Sequence, residues 1–519
     1  MSEGSVKRRG GREARRSLRS QPIIDDRRPV RGGLASGAFR PLSDADLSRI
    51  HRAALDVLET VGLADPIASC VELCTAHGAF VNGAGRLCFP RALVEDTIAR
   101  APRRWIMCGQ EPRFDLELGG GRVHFATAGA AVHTVDEATG TYRPSTLADL
   151  YDAARLADAL EFIDLFQRPL VCRDLEDPRE LDLNTLYACL AGTAKPIGTS
   201  FTRAEHMAEG LALLHAVAGS EEAWRRRPFA SLSSCFVVPP LRWAEDACRV
   251  LEVAVRGGMP VLLLAAGQAG ATSPAALAGA VVQEVAEVLA GLVYVQAIRA
   301  GAPAIFGPWP FVSDLRTGAM SGGSGEQALL MAACAQMGRF YDLPTGVASG
   351  MTDSKLTDAQ AGAEIGLNHA LVANAGADLV YEAAGMRASL LGFSHSGMVV
   401  DHDCIAASLR AVRGIETDDD SLSVEVIREV CIAGPGHFLG HPQTLALMHS
   451  GFVYPAVGDR SSPKEWQERG SPRLLERAER RTRDILARHW PRHLPAEVDR
   501  ILRQRFPIRL PQAPAGPVA

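Results

Sequence analysis

The sequence has no excess of positive charge and no uninterrupted hydrophobic run. Its 519 residues include 60 acidic and 55 basic side chains, for a formal net charge of -5 at pH 7. Such a chain has no overall basic field that would attract nucleic acid by counterion release. The most apolar stretch, 275–298, carries Gln283, Glu284 and Glu287 on one helical side, which is typical of a core-facing helix rather than a membrane span. We expect neither a nucleic-acid partner nor a membrane.

Cysteine is also sparse. The eleven cysteines are scattered through apolar segments and do not form the dense framework of a secreted disulfide protein. Residues 1–40 are rich in arginine but lack the apolar region of a secretory signal. These features predict reduced thiols and a cytoplasmic location. The arginine-rich stretch is itself predicted to be a disordered basic arm, with docking to an acidic partner surface as the alternative.

The chain does have enough apolar side chains to bury a large core. Hydrophobic residues make up 47% of the sequence and charged residues 22%, which excludes wholesale disorder. A chain of 519 residues exceeds the usual size of one core. This length suits a single large α/β barrel with helical additions.

Helical patterns stand at both ends of the chain. The segment 42–63 is predicted to be an amphipathic helix that starts near Ser43 or Asp44, and a second helix is predicted over 65–79. We assign residues 41–118 to an N-terminal helical extension. Residues 404–519 are predicted to form a C-terminal helical segment and tail, which wraps the barrel or makes subunit contacts.

Between residues 119 and 403, short β-rich runs alternate with helical segments. This alternation is typical of repeated βα units and a parallel sheet, and several helical segments end in glycine, which commonly stops a helix. Eight runs favour a closed (βα)8 barrel, a TIM barrel, over an open sheet. The runs are 121–128, 162–172, 195–201, 229–238, 260–268, 303–311, 344–350 and 378–385.

The carboxyl ends of these runs are rich in aromatic and carboxylate side chains. Reactive groups of such barrels lie at the strand ends and in the loops that follow. Aromatic faces attract a desolvated cation by roughly 0.5 to 2 kcal/mol each, so the mixture suits an ammonium ligand. Each aromatic could instead be ordinary barrel packing, least so Trp309, which lies between two prolines. The candidates are Gln167, Arg168, Phe201, Trp309, Asp353, Tyr381 and Glu382.

A glycine-rich loop, 318–325, precedes a predicted helix start. Its backbone N–H groups could bind an anion, and Gly322, Gly323 and Gly325 are the candidate cofactor-binding residues. The alternative is a flexible loop that lets a partner's cofactor approach closely. The run matches neither a P-loop nor a GxGxxG fingerprint.

Metal signatures are weak. Cys70, Cys74 and His77 share one helical face and could hold zinc, but they also match a plain core stripe. His437 and His441 have i, i+4 spacing without the glutamate of an HExxH motif. We predict no metal site.

Several long segments resemble the trimethylamine methyltransferase family. They occur in the same order over roughly residues 40 to 490. The resemblance implies a barrel that binds a methylated amine and receives a separate corrinoid protein at its open mouth. A Co(I) corrinoid then takes the methyl group, while the barrel supplies orientation and electrostatics. The segments are 119–160, 166–201, 307–362, 379–403 and 434–450.

One departure from the family pattern bears on the substrate. Members acting on trimethylamine carry pyrrolysine in the loop after the seventh strand, and the matching position here is Leu356. Leucine cannot form an adduct with a tertiary amine. The chain therefore resembles the branch that lacks pyrrolysine, which demethylates quaternary amines such as glycine betaine, proline betaine or carnitine. A quaternary nitrogen is already charged and needs no prior activation by an adduct.

Strand-end placement suggests individual roles within this scheme. We expect Trp309, Phe201 and Tyr381 as walls around the cation, with Gln167 also in contact with the substrate. Glu382 or Asp353 would be the charge partner, and Arg168 could clamp a betaine carboxylate. The catalytic candidates are therefore Asp353, Glu382 and Leu356.

Two other functions stay open at this point. One is a non-catalytic barrel that binds methylamines or betaines. The other is a carboxylate-based barrel hydrolase that uses Asp353 and Glu382, with the pair His437 and His441 as a possible addition. For any of these functions we expect the chain to form a homo-oligomer.

Overall fold

Eight short parallel strands form a closed barrel at the centre of the protein. The structure is a computed structural model, and it describes residues 28–512 of the chain. The barrel strands are β1 (Arg122–Phe125), β2 (Phe166–Gln167), β3 (Ile197–Thr199), β4 (Ala230–Ser234), β5 (Val261–Ala265), β6 (Ala304–Pro308), β7 (Gly346–Ala348) and β8 (Leu379–Tyr381). Each of the eight β-rich runs contains one of these strands, so the predicted TIM barrel is confirmed.

Parallel hydrogen bonding joins the strands into one cylinder. Strands β2 to β6 pair in chain order, and β7, β8 and β1 pair in the same way. Two parallel bridges complete the circle: Ala126 pairs with Leu165, and Phe306 pairs with Thr345. Each barrel strand therefore has a neighbour on both sides.

The strand sequences explain their central position. β5 is VLLLA and β6 is AIFGP, and every residue of both strands is buried. Continuous apolar runs are typical of parallel strands covered on both faces, here by side chains inside the barrel and helices outside it. Gly307 in β6 is needed for close packing, because a Cβ atom there would lie 2.5 Å from the carbonyl oxygen of Leu263.

Eight helices cover the outside of the barrel, each after the strand of the same number. They are α1 (Leu147–Ala159), α2 (Pro178–Gly192), α3 (Ala204–Ala218), α4 (Glu245–Arg256), α5 (Leu277–Ile298), α6 (Gly325–Tyr341), α7 (Ala359–Ala375) and α8 (His395–Arg413). The side chains of Thr146 and Asp149 form a capping box at the start of α1, and α7 ends at Gly376, which has a left-handed φ of 103°. The predicted barrel boundary at residue 403 falls inside α8.

The helix α5 is a core helix with a buried acidic side. Within residues 28–512, α5 is the one helix whose length and composition would allow it to span a membrane. However, 83% of its most apolar segment is buried inside the protein. Oε1 of Glu284 accepts a hydrogen bond from the Gly267 N–H at 2.7 Å, and Oε1 of Glu287 accepts one from the Leu241 N–H at 2.7 Å. The predicted core-facing helix is confirmed, and its two carboxyl groups hold the loops after β4 and β5.

The segment before the barrel contains both predicted helices. Helix Asp44–Thr60 begins at Ser43, which forms a capping box with Asp46. This helix, Ala68–Ala76 and Arg91–Arg100 all pack against α5. The remaining elements are the hairpin Phe80–Val81 with Leu87–Cys88, the hairpin Trp105–Met107 with Leu116–Leu118, and the 3-10 helix Pro112–Phe114.

Part of the predicted disordered arm packs on the barrel. Residues 1–27 of this arm lie outside the described residues. Leu34–Ala35 forms a short strand that pairs antiparallel with β1, and the Gly33 N–H donates to the Val123 carbonyl oxygen at 2.6 Å. The prediction is therefore corrected for residues 28–40, because backbone hydrogen bonds and the buried side chain of Val30 hold this segment against the barrel.

Helices after α8 lie against the outside of the barrel. Leu474–Arg488 packs against α8 and α1, and Ala496–Arg505 packs against α3. The guanidinium of Arg155 in α1 lies 3.5 Å from the ring centroid of Trp490. Wrapping of the barrel, one of the two predicted roles of this segment, is thus observed. The remaining elements are Glu221–Arg226 after α3 and, beyond α8, Asp419–Leu422, Val424–Arg428, Glu429–Ala433, Pro442–Ser450 and Pro463–Glu468.

Short strands from different loops meet at the carboxyl end of the barrel. The loop after β1 forms the hairpin His133–Asp136 with Thr141–Pro144, and the loop after β8 forms the hairpin Met386–Arg387 with Gly392–Phe393. These two hairpins pair with each other through a parallel contact. A second pair, Gln268–Ala269 with Phe311–Val312, extends the loops after β5 and β6. The rim of the barrel is therefore built from paired loops.

Candidate active site

A cavity of about 360 Å³ opens at the carboxyl end of the barrel. Its lining comes from the strand ends and following loops of every barrel strand except β7, with two contacts from α4. A second hollow of about 440 Å³ lies beside it, but this hollow is lined by the outer loops after β5 and β6 rather than by strand ends. The strand-end cavity is the candidate site, because active sites of such barrels form there. It is lined by Ala128, Gly129, Ala130, Gln167, Arg168, Ser200, Phe201, Leu232, Ser233, Ser234, Cys235, Ala247, Val250, Leu264, Ala266, Trp309, Phe311, Glu382 and Leu390.

Arg168 lies in this cavity without a carboxylate beside it. Its Nε and Nη2 atoms donate to Ser200 Oγ at 3.1 and 2.8 Å, and its Nη1 donates to the Gly129 carbonyl oxygen at 3.4 Å. Burial lowers the pKa of Arg168. A half-buried cation whose hydrogen bonds within residues 28–512 all go to neutral acceptors leaves positive charge available to an anionic group of a ligand.

Glu382 follows β8 directly and has a left-handed backbone φ of 59°. Within the described chain its Oε2 atom is buried and has no hydrogen-bond partner. Burial raises the pKa of this carboxyl to about 8, against the opposing charge of Arg168. The backbone around it is held by the Ala383 N–H, which donates to the Ala126 carbonyl oxygen at 3.0 Å. The fold thus holds a carboxyl group in an unfavourable backbone conformation and an unfavourable environment, which is typical of functional sites.

Gly129 separates these two charged side chains. It has a φ of 137°, and its carbonyl oxygen accepts the hydrogen bond from Arg168. A Cβ atom at this position would lie 3.2 Å from Glu382 Oε2 and 2.9 Å from the Met386 side chain. Only glycine therefore leaves space in front of the carboxyl group.

Aromatic rings form one wall of the cavity. The indole N–H of Trp309 donates to the Gly346 carbonyl oxygen at 2.9 Å, which fixes the ring. Its ring centroid lies 6.5 Å from that of Phe311, in an edge-to-face arrangement, and 5.5 Å from that of Tyr381. The ring of Phe201 packs directly on Gly210 of α3. A Cβ atom at residue 210 would lie 2.5 Å from this ring. Trp309, Phe311 and Phe201 line the same cavity as Glu382.

The structure brings together five of the predicted site residues. The residues that line the cavity are Gln167, Arg168, Phe201, Trp309 and Glu382. Tyr381 is fully buried behind Trp309, and its hydroxyl has no hydrogen-bond partner among the described residues. Its predicted contact with the substrate would require the ring or the wall in front of it to move.

Asp353 and Leu356 lie in the loop after β7 and are not part of the lining. Asp353 Oδ2 accepts from Ser321 Oγ at 2.8 Å, and its Oδ1 accepts from the Gly322 N–H at 2.7 Å. Leu356 is half-buried, and the next residue, Thr357, donates its N–H to Glu137 in the rim hairpin at 2.9 Å. The catalytic roles of Asp353 and Leu356 stay predictions.

The glycine-rich loop lies on the rim beside the cavity rather than in its lining. Ser324 caps α6 by accepting the Gln327 N–H, so that helix end already has a side-chain acceptor. Gly323 lies against Glu364, whose Oε2 would be 2.1 Å from a Cβ atom at this position. Cofactor binding by Gly322, Gly323 and Gly325 stays a prediction.

The candidate metal residues have other contacts in the structure. Within residues 28–512, His, Cys, Asp and Glu side chains form no group of three that could hold a metal ion. Cys70 and Cys74 are buried in the core with their sulfur atoms 4.0 Å apart, and the exposed His77 ring contacts the Leu73 carbonyl oxygen at 2.9 Å. His441 Nδ1 accepts from the Gln443 N–H at the start of Pro442–Ser450.

The predicted site residues do not include Gly129, Phe311 or Leu390, which also line the cavity. Phe311 follows Trp309 at the end of its β-rich run, so its position at a strand end was a usable signal. Gly129 lies in the small-residue run AGAA, and the sequence does not show which glycine faces a carboxyl group. Leu390 reaches the cavity from the hairpin after β8, and its position depends on backbone conformation rather than on periodicity.

The fold and the site together define a TIM-barrel enzyme whose strand-end cavity holds opposite charges between aromatic walls. The family model "Trimethylamine methyltransferase (MTTB)" matches residues 8–510. The chain therefore belongs to the trimethylamine methyltransferase family, and it is a methyltransferase. This membership favours transferase chemistry over the carboxylate-based hydrolase.

Individual relatives agree with the family assignment. The chain is 33% identical over 464 residues to trimethylamine methyltransferase MttB of Desulfitobacterium hafniense, covering 89% of this chain and 92% of the relative. It is 32% identical to MttB of Methanosarcina barkeri, covering 87% and 92%, and 28% identical to a glycine betaine methyltransferase of D. hafniense, covering 89% and 95%. The crystal structure of the M. barkeri monomethylamine methyltransferase MtmB is 14% identical, covers 87% of this chain and 96% of that chain, and has a TM-score of 0.45. The cytoplasmic location and the homo-oligomer stay predictions.

Proposed function

We propose that this methyltransferase takes a methyl group from a zwitterionic quaternary amine, of the glycine betaine type, and delivers it to a Co(I) corrinoid on a partner protein. The observation that carries the proposal is the pair Arg168 and Glu382. Glu382 is buried and Arg168 is half-buried in one aromatic cavity, and neither has an oppositely charged partner within hydrogen-bonding distance among the described residues. A ligand with a cationic nitrogen and a carboxylate compensates both charges.

The two ends of such a ligand have separate places to bind. The trimethylammonium group fits against Trp309 and Phe311, where ring faces and the Glu382 carboxylate both favour a desolvated cation. The ligand carboxylate fits near Arg168 and Ser200, which offer charge-assisted hydrogen bonds. Arg168 and Glu382 thus fix the orientation of the ligand.

One relative and the residue Leu356 support a quaternary substrate. One relative is named as a glycine betaine methyltransferase. At the position predicted to match pyrrolysine this chain has leucine, a side chain without an electrophilic group. A quaternary amine needs no such group, because its leaving group is a neutral tertiary amine.

The size of the cavity limits where the methyl acceptor can lie. A cavity of about 360 Å³ holds a small amine but not a corrin macrocycle. The acceptor must therefore approach from the open mouth, and the reacting N-methyl group must face outward. A Co(I) corrinoid supplies a strong nucleophile for the methyl group when its carrier protein is docked.

The chain's own residues orient the substrate and control charge. Before transfer, the substrate cation favours the ionised form of Glu382. After transfer, the amine product is neutral at nitrogen, so burial again favours the protonated form of the carboxyl group. The aromatic wall keeps water away from the reacting nitrogen and holds one methyl group toward the mouth.

The proposal is tested by mixing the protein with a reduced corrinoid carrier protein and glycine betaine. We expect the absorbance of Co(I) to disappear and dimethylglycine to form. An unchanged Co(I) spectrum across glycine betaine, proline betaine and carnitine would contradict the proposal. Tight binding of one of these ligands without any transfer would instead support a barrel that only binds them.

A further inference from the structure

The hairpin after β8 has an unusual backbone at its tip. Ala388, Ser389 and Leu390 are consecutive and have φ values of 49°, 50° and 78°. All three are in the left-handed region that L-amino acids with a Cβ atom rarely adopt. Such a run persists only where surrounding contacts determine it, and it is most often found at functional sites.

Contacts from the loop after β7 hold this tip in place. The Ala388 N–H donates to the Ser354 carbonyl oxygen at 2.8 Å, and the Ser389 N–H donates to the Thr352 carbonyl oxygen at 2.9 Å. Between them, Ser389 Oγ donates to Asp353 Oδ1. The hairpin is therefore fastened at successive residues to one short segment.

Asp353 joins this pair of loops to a third. It also accepts hydrogen bonds from Ser321 Oγ and from the Gly322 N–H in the glycine-rich loop after β6. Gly322 allows the close approach, because a Cβ atom there would lie 3.0 Å from Met351 Cβ and 3.7 Å from Ser389 Cα. One carboxylate of the loop after β7 thus links this loop to the loops after β6 and β8, because it accepts hydrogen bonds from donors of both.

The left-handed turn decides which leucine faces the cavity. Leu390 is half-buried and lines the cavity together with Glu382, whereas the adjacent Leu391 is 59% exposed. The backbone conformation therefore places an apolar side chain at the mouth, beside the carboxyl group that we assign to the substrate cation.

We propose that Leu390 is a specificity-determining residue and that Asp353 is the positioning residue that holds it. The Leu390 side chain limits the space around the substrate nitrogen at the mouth, so that methyl substituents fit and larger N-alkyl groups do not. Asp353 acts through the hairpin and does not touch the substrate. This inference rests on the proposed function, because it takes the cavity to be the site of a quaternary ammonium group.

The size limit is tested by calorimetric binding of tetramethylammonium and tetraethylammonium. We expect the wild type to prefer the smaller cation by roughly tenfold or more, and Leu390→Ala to lose most of that preference by gaining affinity for the larger cation. Leu391→Ala is the matched control, since it removes the same atoms from the neighbouring exposed residue. It should keep the wild-type preference.

The role of Asp353 is tested by hydrogen exchange together with the same binding ratio. Asp353→Ala should speed amide exchange in residues 386–393 and lower the size preference, with α5 exchange unchanged as a measure of intact folding. Asp353→Asn keeps an acceptor for Gly322 and Ser389 and should restore most of both properties. If Asp353 only stabilised the fold, its substitution would not selectively change the ratio of the affinities for the two cations.

The possible results separate this inference from the proposed function. If the wild type binds neither tetramethylammonium nor glycine betaine, the proposed function is contradicted and the specificity role of Leu390 with it. If the wild type binds glycine betaine but does not prefer tetramethylammonium over tetraethylammonium, only the inference on Leu390 is overturned. If the wild type binds tetramethylammonium but Leu390→Ala keeps the same ratio, only the inference on Leu390 is overturned. Unchanged hairpin exchange in Asp353→Ala overturns the positioning role.

Discussion

Burial of one carboxyl group governs the electrostatics of the cavity. The pKa of Glu382 is raised to about 8 by burial, and burial lowers the pKa of Arg168 in the same cavity. Each charge alone is unfavourable in this environment, since a buried ion without a partner is costly. A ligand group of opposite charge would therefore stabilise the charged form of either side chain.

Binding of a quaternary cation should therefore release a proton from Glu382. Near pH 7 the carboxyl is mostly protonated, because its pKa is about 8. The cation favours the ionised form, so affinity should rise with pH up to about the pKa and then level off. We expect close to one proton released per ligand at about pH 7, measured by calorimetry in buffers with different ionisation enthalpies.

Two controls accompany this measurement. Glu382→Gln should bind the cation more weakly, by roughly 2 kcal/mol or more, and should release no proton. The carbon isostere 3,3-dimethylbutyrate, which has no charge at the position of the nitrogen, should also release none from the wild type. Equal proton release by the isostere and by glycine betaine would contradict the role of Glu382.

The indole of Trp309 is expected to be a major contributor to cation binding. Its ring is fixed by the hydrogen bond to Gly346 and faces the cavity beside Phe311. Trp309→Ala should weaken binding of glycine betaine by on the order of 1 to 3 kcal/mol in calorimetry. Trp466→Ala, which removes an indole from a helix outside the barrel, should leave the affinity unchanged. Wild-type affinity in Trp309→Ala would remove this residue from the binding site.

At the scale of elements, loops rather than strands decide the shape of the mouth. The buried carboxyl groups of α5 hold the loops after β4 and β5, and Asp353 holds the loops after β6 and β8. Each of these contacts joins segments that are far apart in sequence. The mouth is therefore a set of loops tied together by a few buried acidic side chains.

The carboxyl pair on α5 should make stability depend on pH. Burial raises the pKa of both groups, to about 7 for Glu287, and the neighbouring carboxyl raises that of Glu284 further. Because these values exceed the ordinary value of 4.5, the stabilising contribution is complete below about pH 4.5 and is lost as pH rises through about 7. The melting temperature of the wild type should therefore fall as the pH rises from about 4.5 to about 7.

Replacing one of these two carboxyl groups by an amide should make the melting temperature depend less on pH. Glu287→Gln keeps an oxygen acceptor for the Leu241 N–H but cannot ionise, so its melting temperature should fall less over the same pH range. The exposed Glu425→Gln is the control and should follow the wild type. A variant profile that is as steep as that of the wild type would show that another group causes the dependence.

At the scale of the whole molecule, stabilising hydrogen bonds close the amino-terminal end of the barrel, and the candidate site lies at the carboxyl-terminal end. The amino-terminal end is closed by tight hydrogen bonding, for example by the buried Asp378, whose carboxylate accepts from the backbone N–H groups of Gly119, Gly121, Arg122 and Thr345. The carboxyl-terminal end holds the cavity and exposes apolar side chains on its rim. The proposed function requires a partner protein that carries the methyl acceptor to dock at this second end.

Leu315 is a specific point at which to test this docking. It lies on the rim in the loop after β6 and is 71% exposed. Leu315→Asp should weaken binding of the corrinoid carrier protein by roughly tenfold and slow methyl transfer, while calorimetric binding of glycine betaine stays unchanged. Leu367→Asp, on the solvent side of α7, is the matched control. Equal effects of the two substitutions on carrier binding would argue against docking at the rim.

The periodicity of apolar residues and the positions of the strand ends were sufficient to predict the framework of the barrel. The apolar runs of β5 and β6, the amphipathic helix after Ser43 and the acidic side of α5 were all recognisable, because burial demands a regular pattern of side chains. Placement at strand ends also predicted that Arg168, Trp309 and Glu382 lie at the same end of the barrel, since parallel strands in a barrel end at one face. The order of residues 28–40 was not predicted, because it depends on pairing with β1 far along the chain.

By itself, the sequence determined the eight-fold repeat, the family and the strand ends that carry charge, since these follow from local composition and order. Only the tertiary structure decided that Glu382 and Arg168 lie in one cavity without an ion-pair partner among the described residues, that Tyr381 is covered by Trp309, and that Asp353 fastens loops. These facts depend on distances between residues remote in sequence and on left-handed turns. No local pattern of side chains specifies such distances, because they arise only when the barrel closes.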